Sequence, residues 1–157
     1  MCRCEPGGFG VIAADYVESS DNGFGLRMAE LSADTKDRLA RVMPAFSSVG
    51  NPVDLTAEVT DEMYDEVLGI LQTDPGVDCI MMSLELQPPN VTSGLVEVAV
   101  RRRSMAPKPI VVSAFGAAGP ALAELERGRV PSYPTIRRAV RAVAALVERG
   151  TYLARQK

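Results

Sequence analysis

The run Val77-Asp78-Cys79-Ile80-Met81-Met82-Ser83-Leu84 is nearly unbroken in apolar side chains. A strand with one wet face alternates polar and apolar residues, whereas a strand covered by helices on both faces reads as a continuous apolar run. The segment is therefore expected near the middle of a mainly parallel sheet in an α/β domain. On its upstream side, Thr60 is the predicted N-cap of a helix with Asp61 and Glu62 in its first turn, where negative charge complements the helix dipole. Met63, Val67, Ile70 and Leu71 share one side of that helix, and Asp74-Pro75-Gly76 ends it.

Downstream, Gln87-Pro88-Pro89-Asn90 forms a rigid loop, and Thr92 or Ser93 caps a helix running through Val100 to Arg101-Arg102-Arg103. Lys108 to Phe115 is the next strand, and Gly116-Ala117-Ala118-Gly119-Pro120 feeds a helix stopped by Gly128. The short, proline-flanked Val130 to Pro134 suits an edge strand, and Thr135 caps a last helix from Ile136 to about Arg149. Toward the N-terminus, Gly7-Gly8-Phe9-Gly10 opens into a helix from Val11 to Ser20, which Asp21-Asn22-Gly23 stops. Leu26 to Leu31 alternates like a strand, Ser32 caps Ala33 to Val42, and Phe46 to Thr56 is a loop containing Asn51-Pro52-Val53-Asp54-Leu55.

This alternation predicts one domain over residues 1–157, with five or six βα units and no internal linker. Only Met1 to Pro6 precede the first glycine turn, where a strand of about five or six residues belongs. The first strand is therefore expected to be short or missing, and the chain to be a fragment or small subunit of something larger. A short first strand is also expected to leave an apolar sheet edge exposed and to promote self-association.

Of the 157 residues, 46% are apolar and 24% charged, the balance of a globular protein with a real core. The net charge of −3 argues against a nucleic-acid surface, and Arg101-Arg102-Arg103 reads as the solvated end of a helix. No apolar stretch reaches the roughly 18 residues of a membrane span, and with Cys79 in an apolar run the cysteine usage fits a reducing cytoplasm. The sequence contains no histidine, so a Ser-His-Asp or Cys-His nucleophile system, a His-ligated metal and a phosphohistidine cannot be built from it alone. Cys2 and Cys4 have no second pair, and no metal site is expected.

Ligands of open α/β sheets bind beyond the carboxyl ends of the strands. Three segments are expected to meet there: the Gly7 to Gly10 turn, the Glu85 to Asn90 loop and the Phe115 to Gly119 turn. Gly7, Gly8 and Gly10 can form an anion cradle at a helix start, though the same glycines serve equally as a turn and packing device. Asn51 and Asp54 bracket Pro52, either as a polar site or as an Asx turn. The pairs Asp61/Glu62 and Glu124/Glu126 read as helix-dipole partners or solvated faces.

The run from Gly7 to Asp15, Leu31-Ser32-Ala33-Asp34-Thr35 with Leu39, Met43-Pro44-Ala45-Phe46 and Asn51-Pro52-Val53-Asp54-Leu55 resemble the ADP-forming acyl-CoA synthetases, relatives of succinyl-CoA synthetase with shuffled domains. Asp74 to Asp78, Lys108 to Val112 and Val130 to Thr135 with Ala139 to Ala142 follow in the family's order, so the likeness covers nearly the whole chain. It implies the smaller flavodoxin-like ligase domain, a three-layer sandwich whose sheet has about five strands. It further implies part of an acid-thiol ligase that interconverts acyl-CoA, ADP and phosphate with acid, CoA and ATP through a phosphohistidine.

Gly7, Gly8 and Gly10 carry over as phosphate-loop residues, and Asn51 and Asp54 as a family-typical loop. ATP or ADP, CoA and Mg2+ are implied for the complete enzyme, none of them bound by this chain alone. The implied partners are the histidine-bearing and CoA-binding domains and an ATP-grasp domain. Family members carry a full strand before the double glycine, whereas Cys4-Glu5-Pro6 stands here and Glu5 adds a negative charge. With no histidine loop, ATP-grasp region or CoA-binding domain in it, the isolated chain is expected to be inactive, and a stand-alone phosphate- or CoA-binding regulatory module, or a nonfunctional remnant, is the alternative.

Overall fold

The computed structural model describes residues 8–19, 25–56, 58–85, 92–114 and 119–156, together with the backbone of residues 2–5. The elements in chain order are β1 (Cys2–Glu5), α1 (Gly8–Glu18), α2 (Ala33–Val42), β2 (Val53–Asp54), α3 (Asp61–Thr73), β3 (Ile80–Leu84), α4 (Gly94–Met105), β4 (Ile110–Ala114), α5 (Gly119–Arg127), β5 (Ser132–Tyr133) and α6 (Ile136–Ala154). The strands form one 5-stranded sheet in the order β2-β1-β3-β4-β5, and every pairing is parallel. This is the doubly wound flavodoxin-type order, in which the chain leaves β1 in one direction, then crosses back over it to build the remainder.

Alternation along the two long strands assigns the layers. Ile80, Met82 and Leu84 of β3, with Ile110, Val112 and Ala114 of β4, enter one core together with Leu39 of α2, Leu68 of α3, Leu95 of α4 and Leu125 of α5. Met81 and Val111 point to the other face, where they meet Ala13 and Val17 of α1 and Ile136, Ala139, Val140 and Val143 of α6. The sheet is thus the middle of three layers. Both long strands are buried at every position, in line with the continuous apolar reading of Val77 to Leu84.

The helix starts follow from capping chemistry. The hydroxyls of Ser32, Thr60 and Thr135 accept the backbone N–H of the residue three positions on, at the entries of α2, α3 and α6. Gly128 follows the end of α5, and a methyl group there would lie 2.4 Å from Val100 on α4. The left-handed residue at that exit is Arg129, with φ of 55°.

Four sequence expectations are corrected. Leu26 to Leu31 joins no ladder. Its alternation instead sends Ala29 and Leu31 to one core and Leu26 and Met28 to the other. The second strand is Val53–Asp54, inside the stretch expected to be a loop, and it occupies the place beside β1. β1 is short, at four residues, yet it lies between β2 and β3, so it leaves no exposed edge to drive self-association. Arg101 and Arg102 are also more than a solvated helix end. Arg102 grips Asp65 of α3 through Nε and Nη2 at 2.6 and 2.7 Å, and Arg101 adds a contact at 3.0 Å.

Candidate functional site at the carboxyl edge

All strands being parallel, β1, β3, β4 and β5 release the chain at one edge, and α1, α4, α5 and α6 begin there. The winding reverses between β1 and β3, since α1 packs on one face of the sheet and α4 on the other. That reversal opens the crevice in which such folds hold ligands. α1 begins at Gly8, earlier than the expected Val11, so Gly8 opens the helix and Gly10 is buried in its first turn. A Cβ at Gly8 would meet nothing within 4 Å, which leaves the helix start open on that side. Gly7 lies outside the described residues, as do residues 86–91 and 115–118 of the other two expected edge segments.

The helix starts differ in how their free N–H groups are served. At α4, Asp61 accepts the Thr92 backbone N–H at 3.1 Å and its hydroxyl at 2.5 Å, while that hydroxyl accepts the Gly94 N–H at 2.9 Å. Asp61 also stands with Glu62 in the first turn of α3, which bears out the dipole reading of that pair. The first turns of α1, α5 and α6, by contrast, contain no acidic residue. Within these helices no carboxylate offsets the partial positive charge of the first turn.

Two further polar groups lie near this edge, and neither was singled out from the sequence. Glu85 follows β3 directly, and its Oε1 is buried without a hydrogen-bond partner among the described residues; burial pushes its carboxyl pKa up. Ser113 of β4 is 1% exposed, and its hydroxyl has no partner among the described residues either. Leaving such a group unpaired costs about 1–3 kcal/mol. Strand alternation places Ser113 on the α1/α6 face, in register with Ser83 of β3 on one side and Tyr133 of β5 on the other. A serine within an apolar strand was the available signal, but periodicity gives no information about satisfaction of its hydroxyl.

Asn51 and Asp54 are held by the fold. Asn51 precedes a cis peptide to Pro52, and its Nδ2 donates to the Ala29 carbonyl at 2.9 Å. Asp54 Oδ1 accepts the Thr56 N–H at 2.9 Å, the Asx-turn geometry, and its backbone N–H reaches the Ser48 carbonyl. Among the described residues no group of three or more His, Cys, Asp or Glu is placed to hold a metal ion. No described helix is long and apolar enough to cross a membrane.

The strand order and the reversal beside β1 define a flavodoxin-type α/β domain. Residues 3–150 match the Ligase-CoA domain, and the chain belongs to that family. It is 30% identical over 159 residues to the acetate-CoA ligase (ADP-forming) I subunit alpha of Pyrococcus furiosus, covering 96% of this chain and 32% of the relative. It is 31% identical over 144 residues to acetate-CoA ligase (ADP-forming) I of Archaeoglobus fulgidus, covering 89% of this chain and 19% of the relative.

Among solved structures, the dinucleotide-forming acetyl-coenzyme A synthetase 1 of Ca. Korarchaeum cryptofilum superimposes with a TM-score of 0.78 at 25% identity over 93% of this chain and 32% of that one. A crystal structure from Pyrococcus horikoshii OT3 reaches 0.84 at 25% identity, covering 96% of this chain and 35% of its own. The chain therefore spans about a third of the length of the first relatives it matches.

Proposed function

We propose that the chain serves as the ligase domain of an ADP-forming acyl-CoA synthetase, contributing an anion-binding helix start to the reaction acyl-CoA + ADP + phosphate ⇌ acid + CoA + ATP. The observation that carries this reading is the start of α1: a glycine-led first turn without acidic side chains, beside the sheet's winding reversal, in a chain of the Ligase-CoA domain family. The first N–H groups of α1, at Gly8 to Gly10, would donate to a phosphoryl group carried on a histidine of another domain. Such fixed donors cost no reorganisation as charge develops. Gly7 belongs to the same turn in the sequence. Mg2+, ATP and CoA enter as groups of the complete enzyme, and no step through them is assigned to residues of this chain.

The test combines this chain with the histidine-bearing, CoA-binding and ATP-grasp parts and follows acyl-CoA-dependent ATP formation. Gly8→Asp, which places a carboxylate where space is free, is expected to lower the rate by about a hundredfold, the scale of losing one preorganised donor. Full activity of that variant in an intact complex would refute the role of α1. Absence of any complex or activity with the parent chain would refute the ligase assignment itself.

A further inference from the structure

We propose that α6 pairs antiparallel with α6 of a second copy of this chain, about a two-fold axis passing between Ala144 and Ala145. Every residue of α6 from Ala145 to Ala154 is exposed, although the first half of the same helix buries Ile136, Ala139, Val140 and Val143. A helical stretch that short is marginal in water unless one side is packed. An open groove of about 580 Å³ runs along it, lined by Arg141, Ala144, Ala145, Glu148 and Tyr152 together with Gly25.

The charges on this face are unpaired within the chain. Arg141 and Glu148 are both exposed, and neither has an ion-pair or hydrogen-bond partner among the described residues. Their helical neighbours three and four positions away supply none. Glu148 has Ala144, Ala145, Thr151 and Tyr152 there, and Arg141 has the same two alanines and two like charges, Arg137 and Arg138.

An antiparallel copy gives each charge its opposite. With Ala144 against the partner's Ala145, Arg141 falls opposite the partner's Glu148, and the two-fold axis makes the same contact a second time. That register also sets Arg137 opposite the partner's Tyr152. Arg149 of the same helix already lies over the Tyr152 ring, 5.4 Å from its centroid, and the other face of the ring can take a second guanidinium. Arg137, Arg141, Glu148 and Tyr152 share one side of the helix, and the alanines between them let the two axes approach to the near end of the usual 8–10 Å range, at roughly 8 Å. The origin of this association is a helix face and not the edge of a short first strand, since β1 lies inside the sheet. It is equally independent of the phosphoryl role of the α1 turn.

Sedimentation equilibrium of the 157-residue chain at low salt tests the pairing. One helix face per copy is a small contact, so a weak, reversible monomer–dimer equilibrium is expected. Arg141→Glu and Glu148→Arg each turn two attractions into two repulsions, and each is expected to weaken association about tenfold. An equimolar mixture of the two variants is expected to recover it, because every charge then meets its opposite on the other variant; the double variant should recover it for the same reason. Both positions are exposed, and circular dichroism is expected to show unchanged helix content. A parent chain that stays monomeric up to roughly 1 mM would overturn the proposal. So would single variants that associate as the parent does, or a mixture that stays monomeric.

Discussion

Asp74 Oδ2 accepts the backbone N–H of Ser32 at 2.9 Å, across 42 positions of sequence. The residue that ends α3 thereby serves the residue that caps α2. Its other oxygen accepts the Gly76 N–H at 2.7 Å, and Thr35 adds a side-chain hydrogen bond. The Lys108 ammonium donates to the Asp74 carbonyl. Because Asp74 precedes β3 and Lys108 precedes β4, this junction lies at the amino edge of the sheet, opposite the candidate site. It fixes α2 and α3 while leaving the carboxyl edge free.

Burial opposes ionisation of Asp74, but the hydrogen bonds from Thr35, Ser32 and Gly76 outweigh it and bring its pKa down to about 2. A depressed carboxylate pKa stabilises the fold above the unfolded value of about 3.9. That contribution is lost as pH falls from there through about 2. Asp74→Ala is expected to cost about 1–3 kcal/mol at pH 7, since it strands buried donors. Urea unfolding should show the gap between parent and variant closing near pH 2; a gap independent of pH would contradict the assignment.

Arg102 and Asp65 join α4 to α3 in a two-pronged pair, with side-chain exposures of 19% and 22%. The Arg102 guanidinium holds the Asp65 carboxyl below its ordinary range. It also covers Gly69, where a Cβ would come within 2.7 Å of it. A double-mutant cycle of Asp65→Ala and Arg102→Ala should give a coupling of about 1 kcal/mol. Gly69→Ala is expected to displace the guanidinium and reduce that coupling; undiminished coupling in the Gly69→Ala background would contradict the geometry.

Glu85 follows the opposite sign rule. Its pKa is raised by burial, so the protonated form is the one the fold favours. The favourable contribution is complete below the unfolded value of about 4.3 and lost as pH rises through the folded pKa. Glu85→Gln is accordingly expected to be more stable than the parent at pH 7 and equal to it below about pH 4. Thermal unfolding across that range checks it, and a variant less stable at neutral pH would show that the carboxylate has a partner.

The central strands, the three helix caps and the dipole role of Asp61 were legible because each rests on local chemistry: an apolar run, a hydroxyl before a helix, an acid in a first turn. β2 was not. Val53–Asp54 is two residues long, too short for any period to register, and it becomes a strand only because β1 lies beside it. Leu26 to Leu31 failed in the opposite way, since alternation reports burial on two sides and not a ladder partner. The carboxyl edge was predicted as a location, with Glu85 at the head of one of its segments, but the burial of the Glu85 carboxyl and the Ser113 hydroxyl was not, because burial of a polar atom is defined by what surrounds it.

The order of residues therefore determined the α/β class, a glycine-led turn into the first helix, the lack of any histidine and the likeness to the Ligase-CoA domain, all properties of composition, spacing and short-range capping. Tertiary structure alone decided that β1 is interior, that Asn51 reaches the Ala29 carbonyl and Asp54 joins β2 while Asp74 binds α2, and that Ser113 is buried between β3 and β5. The reason is physical. Periodicity reports which side of an element faces water, whereas hydrogen-bond partners and pockets arise from groups distant in the chain that only packing brings together.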